Sequence, residues 1–196
     1  TEHSHEVTFA RSLIVPVYRN EGNIPALIEA LEMLNLRSPA PIEVVFVIDG
    51  APDRSGEVLA ARRGEFHFAY QIVFHSRNFG SFTAIRTGME HARGRLIAVM
   101  AADLQEPPEL VLEFFARLDA GDVDIVFGER TGRNDAWLRD KLSNMFWWLY
   151  RKLVIRDIPK GGVDIFACNQ MVAQTVLQIC EPNSSCLLYT SDAADE

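Results

Sequence analysis

A chain of 196 residues, 48% hydrophobic and 23% charged, is long enough to bury the core of one domain and has an ordinary globular composition. A formal net charge of -8 argues against a nucleic-acid partner, and no apolar run reaches the roughly 18 residues that a membrane span needs. Cys168, Cys180 and Cys186 show neither metal nor redox spacing, which fits a reducing compartment.

Residues 1–10 read as a flexible polar tail, to which His3 and His5 belong rather than to a metal site. Short β-rich apolar runs then alternate with helical periodicity, the pattern of an α/β sheet. SLIVPVY (residues 12–18) is the first predicted strand. Ile24, Leu27, Ile28, Leu31 and Leu34 then share one helical face, with Asn23 as the expected cap and Pro25 in the first turn. PIEVVFVIDG is a second, fully buried strand that ends at Asp49-Gly50. FAYQIVFHS is a third, followed by a helix within NFGSFTAIRTGMEHARG whose Ile85, Met89 and Ala92 share a side. RLIAVMAAD is the fourth and delivers Asp103 to its C-terminal end; Pro107-Pro108-Glu109 opens another helix. VDIVFGER is a fifth strand ending near Arg130, a long amphipathic helix is expected over residues 135–153, and GGVDIFA is a further short strand.

Polar residues thus gather at the C-terminal ends of strands: Tyr18 and Glu21, Asp49 and Asp53, Asp103 and Gln105, Arg130. In an open α/β sheet that edge is where ligands bind. The chain has no GxxxxGK[ST] and no GxGxxG, so a nucleotide would be held by side chains and a metal. Asp103 is the first candidate ligand; a second role as cap of the helix that starts near Pro107 is compatible with it.

VPVYRNEGNI, VVFVIDGAPDRS, RNFGSFTAIRTGMEHARG, MAADLQEPPEL and VFGERTGRNDAWLRDKLSN follow one another over residues 13–185. In order and spacing they resemble family 2 glycosyltransferases, most of all the polyprenyl-phosphate type, similar to dolichol-phosphate mannosyltransferase and bactoprenol glucosyltransferase. The resemblance implies a GT-A fold, with a mostly parallel central sheet flanked by helices. It also implies a UDP- or GDP-sugar donor, Mg²⁺ or Mn²⁺, and transfer of a hexose with inversion to a polyprenyl phosphate at the cytoplasmic face of a membrane.

Carried over residue by residue, the resemblance places Pro16, Tyr18, Glu21, Asp49 and Asp103 at the donor nucleotide. The family's metal motif is usually Asp-x-Asp-x-Gln, whereas this chain reads Ala101-Ala102-Asp103-Leu104-Gln105, so its first acid is missing. Asp103 and Gln105 are left as metal ligands, and donor phosphates would complete the shell. They would both face the cleft if the strand is still extended there. Ile48 likewise replaces the first acid of the family's Asp-Asp-Gly turn, which leaves uridine and guanosine both open. Arg130, Arg139 and Ser143 match acceptor-phosphate positions, and the arginine fork suits phosphate. Asp103 and Asp164 are the candidate catalytic residues, Asp164 as a base or orienting group, although the family's Phe-Arg pair reads Phe166-Ala167 here.

Two other readings stay open. A family 2 enzyme acting on a glycan hydroxyl would need a base such as Asp164, so Asp164→Asn would abolish transfer there and affect a lipid phosphate acceptor only modestly. A decayed site that binds nucleotide sugar without turnover would regain activity on Ala101→Asp. FWWLYRKLVIR, which mixes aromatic and basic residues, is expected either to lie at a membrane interface or to pack in the core. The catalytic domain is assigned to residues 11–185 and is expected to be incomplete at its C-terminus, where relatives carry membrane anchors. CLLYTSDAADE (residues 186–196) resembles a translated sequencing adapter and is expected to be foreign.

Overall fold

The computed structural model describes residues 9–128 and 165–178. The expected helix over residues 135–153, the FWWLYRKLVIR segment, Arg130, Arg139, Ser143, Asp164 and the 186–196 tail lie outside the described residues.

Strand β1 (Phe9–Val17) begins inside the predicted tail, because Phe9 already pairs with Gly94. It is followed by α1 (Ile24–Arg37), β2 (Ile42–Ile48), α2 (Ser55–Ala61), β3 (Tyr70–Phe74), α3 (Ser81–His91) and β4 (Gly94–Val99). Then come α4 (Glu109–Ala120), β5 (Ile125–Phe127), β6 (Phe166–Asn169) and α5 (Gln170–Gln178). The sheet order is β3-β2-β1-β4-β6-β5. β1 to β4 are mutually parallel, and β6 runs antiparallel to both β4 and β5.

The period-2 alternation of the strands sorts their side chains onto two helical layers. Leu13, Val15 and Val17 of β1, with Val44, Phe46 and Ile48 of β2, join the core under α1 and α4. Ile14 faces the other way, against Met89 of α3 and Ala173 and Val176 of α5. β2 is buried at every position because helices cover both of its faces. The face of α1 formed by Ile24, Leu27, Ile28, Leu31 and Leu34 is fully inside, and Pro25 sits in the first turn. Asn23 holds the N-cap position but its side chain makes no capping bond. Instead a 3₁₀ turn (Glu21–Asn23) leads in, with the Asn23 and Ile24 amides bonded to the Asn20 carbonyl at 2.8 and 3.2 Å.

Connections from β1 through β3 build the sheet in one direction, and α3 then carries the chain back across β1 to β4. The strand order therefore reverses between β1 and β4, the kind of crevice in which open α/β sheets bind ligands. Close approach of α3 to β1 is possible because Gly88 has no side chain: a Cβ there would lie 2.3 Å from Ile14 Cγ2. No helix among the described residues is long and apolar enough to cross a membrane.

Candidate functional site

At that reversal the C-terminal ends of β1, β2 and β4, together with the entry to α3, enclose a cleft of about 640 Å³. The end of β1 contributes Pro16 and Val17, the loop after it Tyr18 and Asn20, and the turn after β2 Asp49. The α3 side supplies Asn78, Gly80, Ser81, Phe82, Ala84 and Ile85, and the β4 end supplies Val99, Ala101, Ala102, Asp103, Gln105 and Glu106. Pro16, Tyr18, Asp49, Asp103 and Gln105, expected from sequence at a donor and metal site, are thus brought together. Next in sequence to lining residues, two guanidinium groups lie over aromatic rings: Arg19 is 5.4 Å from the Tyr18 ring centre and Arg77 4.6 Å from that of Phe79.

Glu21 is placed elsewhere. Its carboxylate accepts the Arg54 amide at 3.2 Å and its own amide donates to Asp53 at 3.1 Å, so it ties the β1–α1 loop to the β2–α2 loop outside the cleft lining. Asp53 completes that tie by accepting the Ser55 hydroxyl at 2.7 Å. Burial alone would raise the Asp53 pKa. The hydrogen bonds from the Ser55 hydroxyl and from the Glu21 and Ser55 amides outweigh it and leave the carboxyl below its ordinary value.

The Asp103 segment corrects one expectation. β4 ends at Val99, and residues 102–103 form a turn rather than an extended strand. Asp103 and Gln105 nevertheless share the cleft, because Leu104 between them takes a left-handed φ of 56°. The Asp103 carboxylate accepts the Gln105 amide N–H at 3.2 Å and its side-chain Nε2 at 2.8 Å. It does not cap α4, whose N-cap residue is Pro108. Asp103 and Gln105 offer hard oxygen donors, which suit Mg²⁺ or Mn²⁺. Among the described residues no three His, Cys, Asp or Glu side chains cluster to hold a metal. The donor set therefore fits a cation that takes much of its shell from a ligand's phosphates.

Asp49 is more committed than its sequence position suggested. It is only 3% exposed. Its carboxylate accepts the Phe79 and Gly80 amides, each at 2.9 Å, and meets His75 Nδ1 at 2.8 Å. His75 Nε2 in turn lies 2.9 Å from the Thr87 hydroxyl. Sequence reading missed His75 and Thr87, as well as the cleft residues Asn20, Asn78, Phe82 and Glu106. The signal available for His75 was its place at the end of β3, the same edge that singled out Asp49 and Asp103.

A family model described as "Glycosyl transferase family 2" matches residues 12–178. The chain is 33% identical over 173 residues to the glycosyltransferase YkcC of Bacillus subtilis, covering 88% of this chain and 53% of that protein. It is 27% identical over 170 residues to the undecaprenyl-phosphate 4-deoxy-4-formamido-L-arabinose transferase of Serratia proteamaculans, covering 87% and 52%. The chain thus spans about half the length of these curated relatives. Among solved structures it resembles a mannosyltransferase from Pyrobaculum calidifontis in complex with GDP-Man and Mn²⁺, with a TM-score of 0.59 at 19% identity, over 87% of this chain and 48% of that one. Glucosyl-3-phosphoglycerate synthase from Mycobacterium tuberculosis, in complex with Mn²⁺, UDP and glucosyl-3-phosphoglycerate, gives 0.59 at 14% identity over 86% and 60%. The fold is GT-A, and the chain belongs to glycosyltransferase family 2.

Proposed function

We propose that this family 2 glycosyltransferase moves a hexose from a UDP- or GDP-sugar to a polyprenyl phosphate, with inversion, at the cytoplasmic face of a membrane. The observation that carries the reading is the convergence of Pro16, Tyr18, Asp49, Asp103 and Gln105 on one cleft at the strand-order reversal. The acceptor class is supported by relatives named as undecaprenyl-phosphate transferases, and the donor and metal classes by the bound GDP-Man and Mn²⁺ of the Pyrobaculum neighbour.

In this reading Pro16 and Tyr18 border the nucleoside. Asp103 and Gln105 would hold Mg²⁺ or Mn²⁺, which, once bound, neutralises charge developing on the departing diphosphate. Arg130, Arg139 and Ser143 would receive the acceptor phosphate. That phosphate is largely a dianion at neutral pH, its second pKa being near 6, so it attacks the anomeric carbon without a base. The bond from that carbon to the diphosphate breaks as the new one forms, and the electron pair leaves with the nucleoside diphosphate. Asp164 would then orient groups rather than remove a proton. Catalysis consists mainly of alignment and charge stabilisation.

The test is a transfer assay with UDP- and GDP-sugars and polyprenyl phosphate, with and without Mn²⁺, on full-length protein. One donor class is expected to give metal-dependent product, and the absence of product from every donor overturns the reading. Calorimetry should find weak Mn²⁺ binding alone and much tighter binding with nucleoside diphosphate. Equally tight binding without nucleotide would refute the shared metal shell.

A further inference from the structure

The geometry points to His75 as a positioning residue of the donor cleft, an inference that rests on the donor reading above. A carboxylate can only accept hydrogen bonds, so at the 2.8 Å contact it is His75 Nδ1 that carries the proton and Asp49 that accepts. In the neutral ring Nε2 then accepts from the Thr87 hydroxyl at 2.9 Å. The imidazole is therefore gripped at both ends, by the end of β2 and by α3, and its side chain is only 10% exposed. It also meets the Phe79 ring edge-on, with 5.4 Å between centroids.

The braced carboxylate also accepts the Phe79 and Gly80 amides, both at 2.9 Å. Those amides set the entry to α3, and Gly80, Ser81 and Phe82 of that entry form one wall of the cleft. There is little slack in the joint. A Cβ on Gly50 would lie 2.1 Å from the Arg77 carbonyl carbon, so the turn after β2 and the loop before α3 touch backbone to backbone. Thr87 thus holds His75, His75 holds Asp49, and Asp49 holds the wall. Asp49 acts on the donor largely through that wall, since three hydrogen bonds from its own chain already hold its carboxylate.

The experiment titrates UDP and GDP, each with Mn²⁺, into wild type, His75→Leu, His75→Asn and Thr87→Val. Amide hydrogen exchange at Phe79 and Gly80 is read in parallel. Loss of a buried hydrogen bond to a charged group should weaken nucleotide binding about tenfold in His75→Leu and speed exchange at these two amides. The asparagine amide can donate from near the Nδ1 position, so His75→Asn should recover affinity to within about threefold of wild type. Thr87→Val should weaken binding less than His75→Leu, and it serves as the deciding variant if His75→Leu does not fold. Unchanged exchange and unchanged affinity in the folded variants overturn the inference. If neither nucleotide binds wild type, the donor reading fails while the exchange data still decide whether His75 braces the wall.

Discussion

Leu104 holds a φ of 56°, a left-handed backbone that costs a residue with a Cβ about 1–2 kcal/mol. The turn persists because the leucine side chain packs partly buried against the main core, next to a groove formed with Met33, Leu34 and Pro108. Its neighbours Asp103 and Gln105 face the cleft, so Leu104 works as a pin behind the two proposed metal ligands. Leu104→Gly relaxes the backbone but removes the pin. The loss of this partly buried leucine contact should weaken Mn²⁺ binding in the presence of UDP by up to about tenfold, read by calorimetry. If backbone strain alone set the turn, the glycine variant would bind as well as wild type. Sequence reading joined Asp103 to Gln105 by assuming an extended strand, and the structure joins them by a turn. Nothing in the residue type of Leu104 announces a positive φ, which glycine or asparagine would signal. Thr87 and its pairing with His75 were illegible for a related reason: the two meet only after β3 and α3 have been placed.

Among the elements, α3 carries the most function, since its entry is a wall of the cleft and its body lies against β1. Gly88 permits that contact, and a side chain there must displace Ile14, whose Cγ2 would lie 2.3 Å from the new Cβ. Gly88→Val should cost about 1–3 kcal/mol by overpacking, seen as a lowered melting temperature, and should also weaken UDP binding as α3 moves off β1. Unchanged nucleotide affinity in a destabilised Gly88→Val protein would separate the helix body from the cleft wall. Strongly patterned elements such as α1 and β2 were readable because their apolar periods are long. The seven-residue α2 and nine-residue α5 were not foreseen, since one or two turns give little periodicity and owe their stability to tertiary packing. The strand foreseen in GGVDIFA exists as β6, but its start at Phe166 and its antiparallel direction are set by pairing with β4 and β5.

Across the whole molecule the sheet is polarised, with the cleft at the C-terminal strand ends and a structural charge cluster at the other edge. Glu43 is 0% exposed there and accepts from Ser12 Oγ at 2.9 Å, Gln71 Nε2 at 2.8 Å and the Arg93 amide at 3.0 Å. The Arg93 guanidinium adds contacts at 2.6 and 2.5 Å and lies over the Phe9 ring. Arg93→Met keeps an apolar stem on Phe9 while stripping the counter-charge from a buried carboxylate. Breaking a fully buried pair costs about 3–5 kcal/mol; the Arg93 side chain is 40% exposed and other donors survive, so this case should cost about 2 kcal/mol, or about 4–8 °C in melting temperature. UDP affinity should stay within about twofold of wild type, because the cluster and the cleft occupy opposite ends of the strands. If the penalty comes from the stranded charge, adding Glu43→Gln to Arg93→Met should restore part of the lost stability. A double variant no more stable than Arg93→Met alone would mean that the arginine acts through packing, and the cluster would then be a scaffold of contacts rather than of charge.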